Sequence, residues 1–216
     1  MKIHYYFVLF ILYSVIGWII EVCNEYIHNK RFVNRGFLIG TYCPIYGYGA
    51  LLMIILLDKY KDSIFALFCM SVFICSILEY FTSYIMEKLF NARWWDYSHY
   101  KFNINGRICL ETMIPFGVAG TLLVHYLNPY IMNVLNVIPF KIVKVVSIIL
   151  FTIFIIDNIL SFQIILGFKK TTKKVPHEDS TLEITNAVRK KLMEKSIFSK
   201  RLIKSFPNVK VKKRKK

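Results

Sequence analysis

"WWDYSHYKFNINGRICLE", residues 94–111, is a polar and aromatic stretch that lies between two strongly apolar segments. Outward from it, apolar blocks cover residues 3–27, 37–57, 63–89, 108–127 and 142–168. Each block has about 20 or more residues, and a helix rising ~1.5 Å per residue then crosses a hydrocarbon core of ~30 Å. The sequence therefore predicts an all-α polytopic membrane protein with about five transmembrane helices.

The composition agrees with a membrane protein, since 56% of the 216 residues are hydrophobic. A transmembrane barrel is excluded because its strands would be about ten residues long and half polar. The first block is predicted to be a retained helix and not a signal peptide, since it carries Glu21 and Glu25 and lacks a small-residue cleavage site. The five cysteines show no Cys-x-x-Cys spacing, so we expect neither a metal site nor a cofactor.

The basic residues predict the orientation in the cell membrane. Linker 28–36 holds three of them and linker 88–107 holds four, while the chain after residue 168 holds 17 of the 29. Because a basic excess marks the cytoplasmic side, the N-terminus is predicted outside and the C-terminus in the cytoplasm. The chain then divides into a transmembrane helical domain, residues 1–168, and a basic cytoplasmic tail, residues 169–216.

The tail is predicted to be partly helical and partly disordered. Ser180 and Glu183 have capping-box spacing ahead of a moderately amphipathic helix, and the chain after Pro207 is predicted to be disordered. The 17 basic residues, against four acidic ones, suit contact with anionic lipid or a solvated chain. Nucleic acid is not expected, because no recognition motif accompanies the charge. Since the tail lies beyond every apolar block, the bundle is predicted to fold without it.

Polar residues form a stripe in two of the apolar blocks. The members are Ser14, Gly17, Glu21, Asn24, Glu25 and His28 in the first block and Ser71, Cys75, Glu79, Thr82, Ser83 and Glu87 in the third. Steps of three, four and seven residues place each set on one helix face. Glu21 and Glu79 lie deep in their blocks, where a carboxylate normally faces a protein interior or a watery cavity. They are either structural contacts between helices or part of a substrate or proton path.

The chain also matches itself in a weak but ordered way. The matched pairs are Gly17 with Cys75, Glu21 with Glu79, Gly36 with Gly106, Pro44 with Pro115, Tyr46 with Phe116 and Gly47 with Gly117. The pattern predicts two parallel helix–loop–helix hairpins followed by a fifth helix, an arrangement with parallels in transporters. Chance similarity between glycine-containing helix starts is the alternative. Asp157 and Ser161 in the fifth block share a face and are interpreted as packing contacts.

Residues 94–111 contain more polar groups than a membrane-interface belt needs. The aromatic members that suit the headgroup layer are Trp94, Trp95 and Tyr97. The polar members are Asp96, Asn105, Arg107 and Glu111, the last two four residues apart. These either line a cytoplasmic vestibule or lock the loop. We predict that Asp96, Asn105 and Arg107 form one cytoplasm-facing polar cavity with Glu21 and Glu79.

The motifs resemble those of a known family. "FVNRGFLIGTYCPIYGYGALL", "LEYFTSYIMEKLFNARWWDYS" and "FNINGRICLE" are similar to segments of the bacterial CmpB-like family of type IV ABC-transporter permeases, and the likeness covers about residues 5–130. The resemblance implies a multi-pass membrane protein that is a transport component. The signature positions are Glu21, Asn34, Arg35, Gly36, Pro44, Tyr46, Gly47, Glu79, Glu87, Trp95, Asp96, Tyr97, Asn105, Gly106 and Arg107. The family often has Gly-Pro where Gly40-Thr41 stands and Trp-Gly where Phe116-Gly117 stands.

Three functions fit these observations. The first is a permease-like component of an ABC-type system. The chain lacks the loop Gly-x-x-x-x-Gly-Lys-Ser/Thr, so a separate ATPase subunit would bind it, and a homodimer or a partner permease would complete the path. The second is an intramembrane enzyme acting on lipid, which we do not expect because no catalytic motif accompanies the acids and bases Glu21, Glu79, Asp96, His99, Glu111 and His125. The third is a scaffold or regulator that recruits partners through its basic tail.

Overall fold

The computed structural model describes residues 2–174 and 181–211. Its helices are α1 (Lys2–Asn29), α2 (Pro44–Leu57), α3 (Ile64–Phe90), α4 (Leu110–Leu122), α5 (Asn128–Val137), α6 (Phe140–Lys174), α7 (Thr181–Lys195) and α8 (Ile197–Ser205). Its strands are β1 (Ala92–Arg93), β2 (Asn103–Ile104), β3 (Ile108–Cys109) and β4 (Lys210–Val211), which pair antiparallel as β1 with β4 and β2 with β3. A 3-10 turn, Asp58–Tyr60, follows α2, and a π-helical segment, Leu123–Leu127, joins α4 to α5.

Four helical segments are long and apolar enough to cross a membrane, namely Ile3–Asn29, Ile64–Phe90, Leu110–Val137 and Phe140–Phe168. The predicted all-α polytopic membrane fold is therefore confirmed. The predicted count of five spans is not confirmed, because block 37–57 is helical only over the 14 residues Pro44–Leu57. At ~1.5 Å per residue α2 is about 21 Å long, which is short of a hydrocarbon core of ~30 Å.

Helix α2 starts deep in the bundle, beside the middle of α1. Pro44 occupies its first turn, where a missing backbone N–H removes no helical hydrogen bond. The N–H of Cys43 donates to the Ser14 carbonyl oxygen at 2.8 Å. Residues 30–43, the first linker, therefore run from the end of α1 at Asn29 down to the level of Ser14. Irregular backbone at that depth is tolerated only where protein buries it, so this linker needs partners from neighbouring helices.

The second hairpin crosses a greater thickness than the first. Helix α3 ends at Phe90. The next residue, Asn91, caps the helix with a left-handed φ of 53°. After residues 91–109, the second linker, helical backbone continues from Leu110 through the π segment to Val137. The helical segment thus runs ten residues beyond the predicted block 108–127, to Val137. Pro115 lies inside α4. Both helices of this hairpin are long enough to span, whereas in the first hairpin only α1 is.

The described part of the tail packs against the end of the bundle that the two linkers form. Buried tail residues that share a core with Trp94 and Phe168 are Ile184, Val188, Leu192, Leu202, Ile203, Val209 and Val211. Disorder after Pro207 is thus not seen up to Val211, because β1 supplies a strand partner for β4. Ser180 of the predicted capping box and residues 212–216 lie outside the described residues. The domain division at residue 168 stays a prediction. The prediction that the bundle folds without the tail is also untested, but the shared core leads us to expect that removal of the tail destabilises the bundle.

Candidate functional site

Matched glycines pack the two hairpins in the same way. A Cβ at Gly47 would overlap two residues of α1, and a Cβ at Gly117 would overlap two residues of α3. Those neighbours are Phe10 and Ser14 for Gly47, and Phe68 and Val72 for Gly117. The two pairs of neighbours correspond under the same shift of the sequence that matches Glu21 with Glu79. The repeat therefore extends from the residue pattern to the close approach of the helices.

The two linkers also share a backbone feature. Gly36 and Gly106, which match in the repeat, adopt φ values of +96° and +64°. Such values are strained for a residue with a side chain, so glycine is needed at both turns. In the second linker a Cβ at Gly106 would in addition overlap Ser98 and Asp96. The turn at Gly106 thus lets the linker backbone approach the Asp96 carboxylate.

Glu21, in the first hairpin, has partners on both carboxylate oxygens. The Tyr46 hydroxyl of α2 donates to Oε1 at 2.6 Å. Arg35 of the first linker donates to Oε2 through Nε at 3.4 Å and Nη2 at 3.3 Å. The Tyr46 ring fills the space beside Gly17, where a Cβ would overlap it. An arginine and a hydroxyl together offset the cost of holding a carboxylate at this depth.

Glu79, in the second hairpin, is less completely paired. Phe116 stands where the first hairpin has Tyr46, and the hydroxyl comes instead from Tyr97 of the second linker, which donates to Oε1 at 3.1 Å. Burial raises the pKa of Tyr97, and the Glu79 carboxylate raises it further, so the hydroxyl stays protonated and donates. Among the described residues, Oε2 of Glu79 is buried without a hydrogen-bond partner, and the residue is 9% exposed.

The two half-sites form one group. We call it the two-glutamate cluster, and its members are Glu21, Arg35, Tyr46, Glu79 and Tyr97. The two carboxylates interact electrostatically, and so do the two tyrosine hydroxyls. The rings of Tyr46 and Phe116 lie 6.2 Å apart and join α2 to α4. The cluster therefore lies where the first hairpin meets the second, inside an otherwise apolar bundle.

A second polar network begins one helical turn beyond the cluster. Arg107 pairs with Glu87 at 3.0 Å, and both side chains are buried. The Arg107 guanidinium also donates to Ser83 Oγ at 3.2 Å and lies over the rings of Tyr80 and Tyr84. These contacts fix the guanidinium against α3. Arg107 therefore pairs with Glu87 and makes no ion pair with Glu79.

Asp96 connects this network to the tail. Its Oδ1 lies 3.2 Å from Arg93 Nη1, and its Oδ2 lies 2.6 Å from Lys210 Nζ. Burial alone would raise the pKa of Asp96, but hydrogen bonds from Lys210 and Ser98 lower it well below its ordinary value. Arg93 also pairs with Glu87 at 3.2 Å. Asp96 is thus ionised and holds the tail to the second linker.

The five residues predicted to share one cavity fall into separate groups. Glu21 and Glu79 come together, whereas Asp96 and Arg107 belong to the second network. Asn105 donates to the Tyr80 hydroxyl at 2.9 Å on the exposed edge of that network. Glu111 is exposed in the first turn of α4, and Arg107 pairs with Glu87 in its place because α3 offers the buried carboxylate.

Asp157 of α6 holds the first linker in the bundle. Its Oδ1 accepts from the Ile39 N–H at 2.9 Å, and its Oδ2 accepts from the Gly40 N–H at 2.8 Å and the Tyr42 hydroxyl at 2.6 Å. Ser161 donates to Oδ1 at 2.8 Å. These acceptors satisfy donors that irregular backbone would otherwise leave unpaired at membrane depth. The sequence interpretation of Asp157 as a helix-packing residue missed this role, although an aspartate inside an apolar block was the available signal.

Two further motif residues support the linkers. The Asn34 side chain accepts from Trp18 Nε1 at 2.8 Å and donates to the Ile39 carbonyl at 2.9 Å. Trp95 Nε1 donates to the Arg107 carbonyl at 3.2 Å. Within residues 2–174 and 181–211, no group of three His, Cys, Asp or Glu side chains could hold a metal ion.

Apolar spans with a polar cluster between two repeated hairpins are typical of membrane proteins of the transport class. The chain belongs to the family described as "Putative ABC-transporter type IV", whose model matches residues 8–162. The match confirms the family resemblance and identifies a membrane transport-related protein. No curated protein and no solved structure matches the chain.

Proposed function

We propose that this protein is the permease-like subunit of an ABC-type transport system whose ATPase is a separate chain. The observation that carries the proposal is the two-glutamate cluster. Charged side chains inside a membrane bundle are costly and typically mark a substrate or ion path. The cluster lies between two repeated hairpins, and movement of one repeat against the other is a common way to change access to a central site. The path would therefore pass Glu21 and Glu79.

The ATPase would bind at the end of the bundle formed by the second linker and the tail, which we assign to the cytoplasm. The sequence contains no P-loop motif, so ATP has to be bound by another subunit. Pairing of β4 with β1 joins the tail and this linker into one surface. Motion of the ATPase would reach the cluster through Tyr97, which belongs to the linker and contacts Glu79. A bundle of this size suits a homodimer or a second permease subunit.

Anionic lipid is the proposed partner of the tail. Ile197 is 84% exposed at the start of α8, and Lys200 and Lys204, also exposed, follow at helical spacing on the same face. The neighbouring Phe198 lines a groove against the end of the α6 span, together with Leu160. An apolar residue at the membrane level beside lysines suits the headgroup layer, where each basic residue gains about 1 kcal/mol near anionic lipid.

The alternatives have less support. An enzyme would need its acids and bases in one place, but His125 donates through Nδ1 to the Lys61 carbonyl oxygen, 2.7 Å away, in the turn that follows α2. We therefore expect no catalytic activity. A scaffold that recruits partners through the tail would leave the apolar face of the tail free, whereas that face is buried against Trp94 and Phe168.

Purification of the tagged protein from its native membranes tests the proposal. We expect a P-loop protein in near-stoichiometric amount and ATP hydrolysis by the reconstituted complex. ATP-dependent accumulation of a solute by inverted vesicles should be lost in Glu79→Gln. Glu111→Gln is the matched control, because that carboxylate is exposed and outside both networks. If the protein purifies alone and vesicles with and without it accumulate the same solutes, the permease proposal is wrong.

A further inference from the structure

The charges in the two-glutamate cluster do not balance. Arg35 lies 3.3 Å from Glu21, and Arg31 lies 3.0 Å from Glu25 one turn away. Among the ion pairs of the described residues, none includes Glu79. Its only hydrogen-bond donor there is the neutral Tyr97 hydroxyl, at 3.1 Å. One buried carboxylate in the bundle is therefore left without a positive partner.

The unpaired atom is closed off from solvent. Oε2 of Glu79 has no hydrogen-bond partner within the described ranges, and only 9% of the residue is exposed. An ionised carboxylate oxygen without a donor in a membrane interior is strongly unfavourable. A donor or a cation at this atom would remove that cost.

Among the described residues, none donates a hydrogen bond to this atom. The titratable and charged residues that face Glu79 or its immediate partners are Cys75 on α3, Glu21 on α1, Tyr46 on α2, Cys43 and Arg35 on the first linker, and Tyr97 and Cys109 on the second. Arg35 is the only cation in this set, and it pairs with Glu21 at 3.3 Å and with Glu25 at 3.8 Å. The rest are neutral or negative, so no other member of this set supplies a positive charge to Oε2.

We infer that the cluster binds one monovalent positive charge at Glu79 Oε2, as an alkali cation or as a proton. Carboxylate and hydroxyl oxygens are the ligands that such hard cations prefer, and Glu21, Tyr46 and Tyr97 bring oxygens of these types to the cluster. A single charge balances the site, because Arg35 already offsets one of the two carboxylates. If the protein is the permease proposed above, this charge is its solute or co-ion, and that extension rests on the permease proposal. Binding of the charge does not depend on an ATPase.

Thermal unfolding of the full chain in detergent tests the inference. Wild type, Glu79→Gln and Glu111→Gln are compared in sodium, potassium and a bulky organic cation at constant ionic strength and pH. For wild type and Glu111→Gln we expect the melting temperature to rise with sodium or potassium, by roughly 5–10 °C at 100 times the dissociation constant. Glu79→Gln should show no such dependence.

A second series separates the proton from the alkali cation. If only acidification stabilises wild type and Glu111→Gln relative to Glu79→Gln, the bound charge is a proton. If neither cations nor acid separate wild type from Glu79→Gln, the inference is overturned. Should Glu79→Gln fail to fold, wild type is tested alone by equilibrium binding of radioactive sodium and by proton uptake. Absence of both sodium binding and proton uptake overturns the inference. If an ATPase co-purifies but no charge binds, this inference alone is refuted. If charge binds but no ATPase co-purifies, the permease proposal alone is refuted.

Discussion

The two hairpins start from one pattern and differ in where the arginine lies. In the first, Arg35 pairs with Glu21 inside the cluster. In the second, Arg107 pairs with Glu87, two helical turns beyond Glu79 on α3. The packing glycines of the two halves make matching contacts, so the helices approach alike. A repeat can therefore keep its helix packing while its arginine pairs at a different position, which here leaves Glu79 without a charge partner.

The linkers differ in what supports them. The first linker is irregular and deep, and Asp157 of α6 satisfies its backbone. The second pairs β2 with β3 within itself and carries its own ion pairs around Glu87. The first linker therefore depends on a helix from outside the repeat, whereas the second pairs within itself, with α3 of its own hairpin and with the tail.

Removal of residues 175–216 should have the largest effect, because the tail contacts both linkers. Arg201 donates to the Gly36 and Phe37 carbonyls at 3.3 and 3.0 Å, and the tail covers Trp94 and Phe168. Exposing two large aromatic side chains costs about 3–6 kcal/mol. We expect aggregation by size-exclusion chromatography and a lower melting temperature, with truncation after residue 211 as the control. A monodisperse truncated protein with unchanged stability would show that the tail is a separate domain.

Asp157→Leu should have the second-largest effect on stability, since it removes the acceptor for two backbone N–H groups and the Tyr42 hydroxyl. The Ile39 N–H keeps Ser161 Oγ at 3.1 Å, so the Gly40 N–H and the Tyr42 hydroxyl lose their acceptor, which costs about 4 kcal/mol. Asp96→Leu in the second linker should cost only about 1 kcal/mol, because its partner Lys210 is 54% exposed. Denaturant unfolding in detergent measures both. Equal losses would show that the two linkers do not differ in their dependence on α6.

Arg107→Met should destabilise the second hairpin by about 3 kcal/mol, because it leaves the buried Glu87 with one fewer cation. Arg35→Met should cost about 1 kcal/mol, since its nearer partner Glu21 is 30% exposed at the side chain and the buried Glu25, 3.8 Å away, keeps Arg31 at 3.0 Å. Both values come from the same unfolding measurement. A larger loss for Arg35→Met would reverse the assignment of the stronger pair to the second hairpin.

Gly47→Ala and Gly117→Ala should each cost about 2 kcal/mol, because a Cβ at either position overlaps the facing helix. Gly49→Ala is the control, since its Cβ would meet only Leu78 Cδ2 at 3.3 Å, and its cost should stay below about 1 kcal/mol. Melting temperatures of the three variants test the matched packing. If one of the matched glycines tolerates alanine as Gly49 does, the two halves do not pack alike.

The smallest effect concerns the ion pair between Lys210 and Asp96. Lys210→Met should cost less than about 1 kcal/mol, because the lysine is half exposed. The pKa of Asp96 is lowered by folding, so its contribution is fully present above the unfolded value of about 3.9 and is lost as the pH falls below it. Stability of wild type and Lys210→Met should therefore converge in acid. A difference that persists at low pH would show that Lys210 acts through packing.

Much of the architecture follows from local pattern alone. Long apolar blocks fix membrane spans because hydrocarbon excludes polar side chains wherever a helix crosses it. The self-match of the chain predicted that Gly47 and Gly117 correspond in the two hairpins, and the depth of Glu21 and Glu79 in their apolar blocks indicated a protein interior or cavity before any contact was known. The four-residue spacing of Arg107 and Glu111 could not show that α3 places the buried Glu87 carboxylate 3.0 Å from Arg107.

The sequence by itself determined the membrane class, the repeat and the residue types of the candidate site, since these depend on composition and periodicity. The tertiary structure decided the short length of α2, the support of the first linker by Asp157 and the folding of the tail around Trp94. It also decided that Glu79 lacks a charge partner. Each of these depends on which groups meet across distant parts of the chain, and hydrogen bonds and ion pairs form only where burial and geometry bring donor and acceptor together.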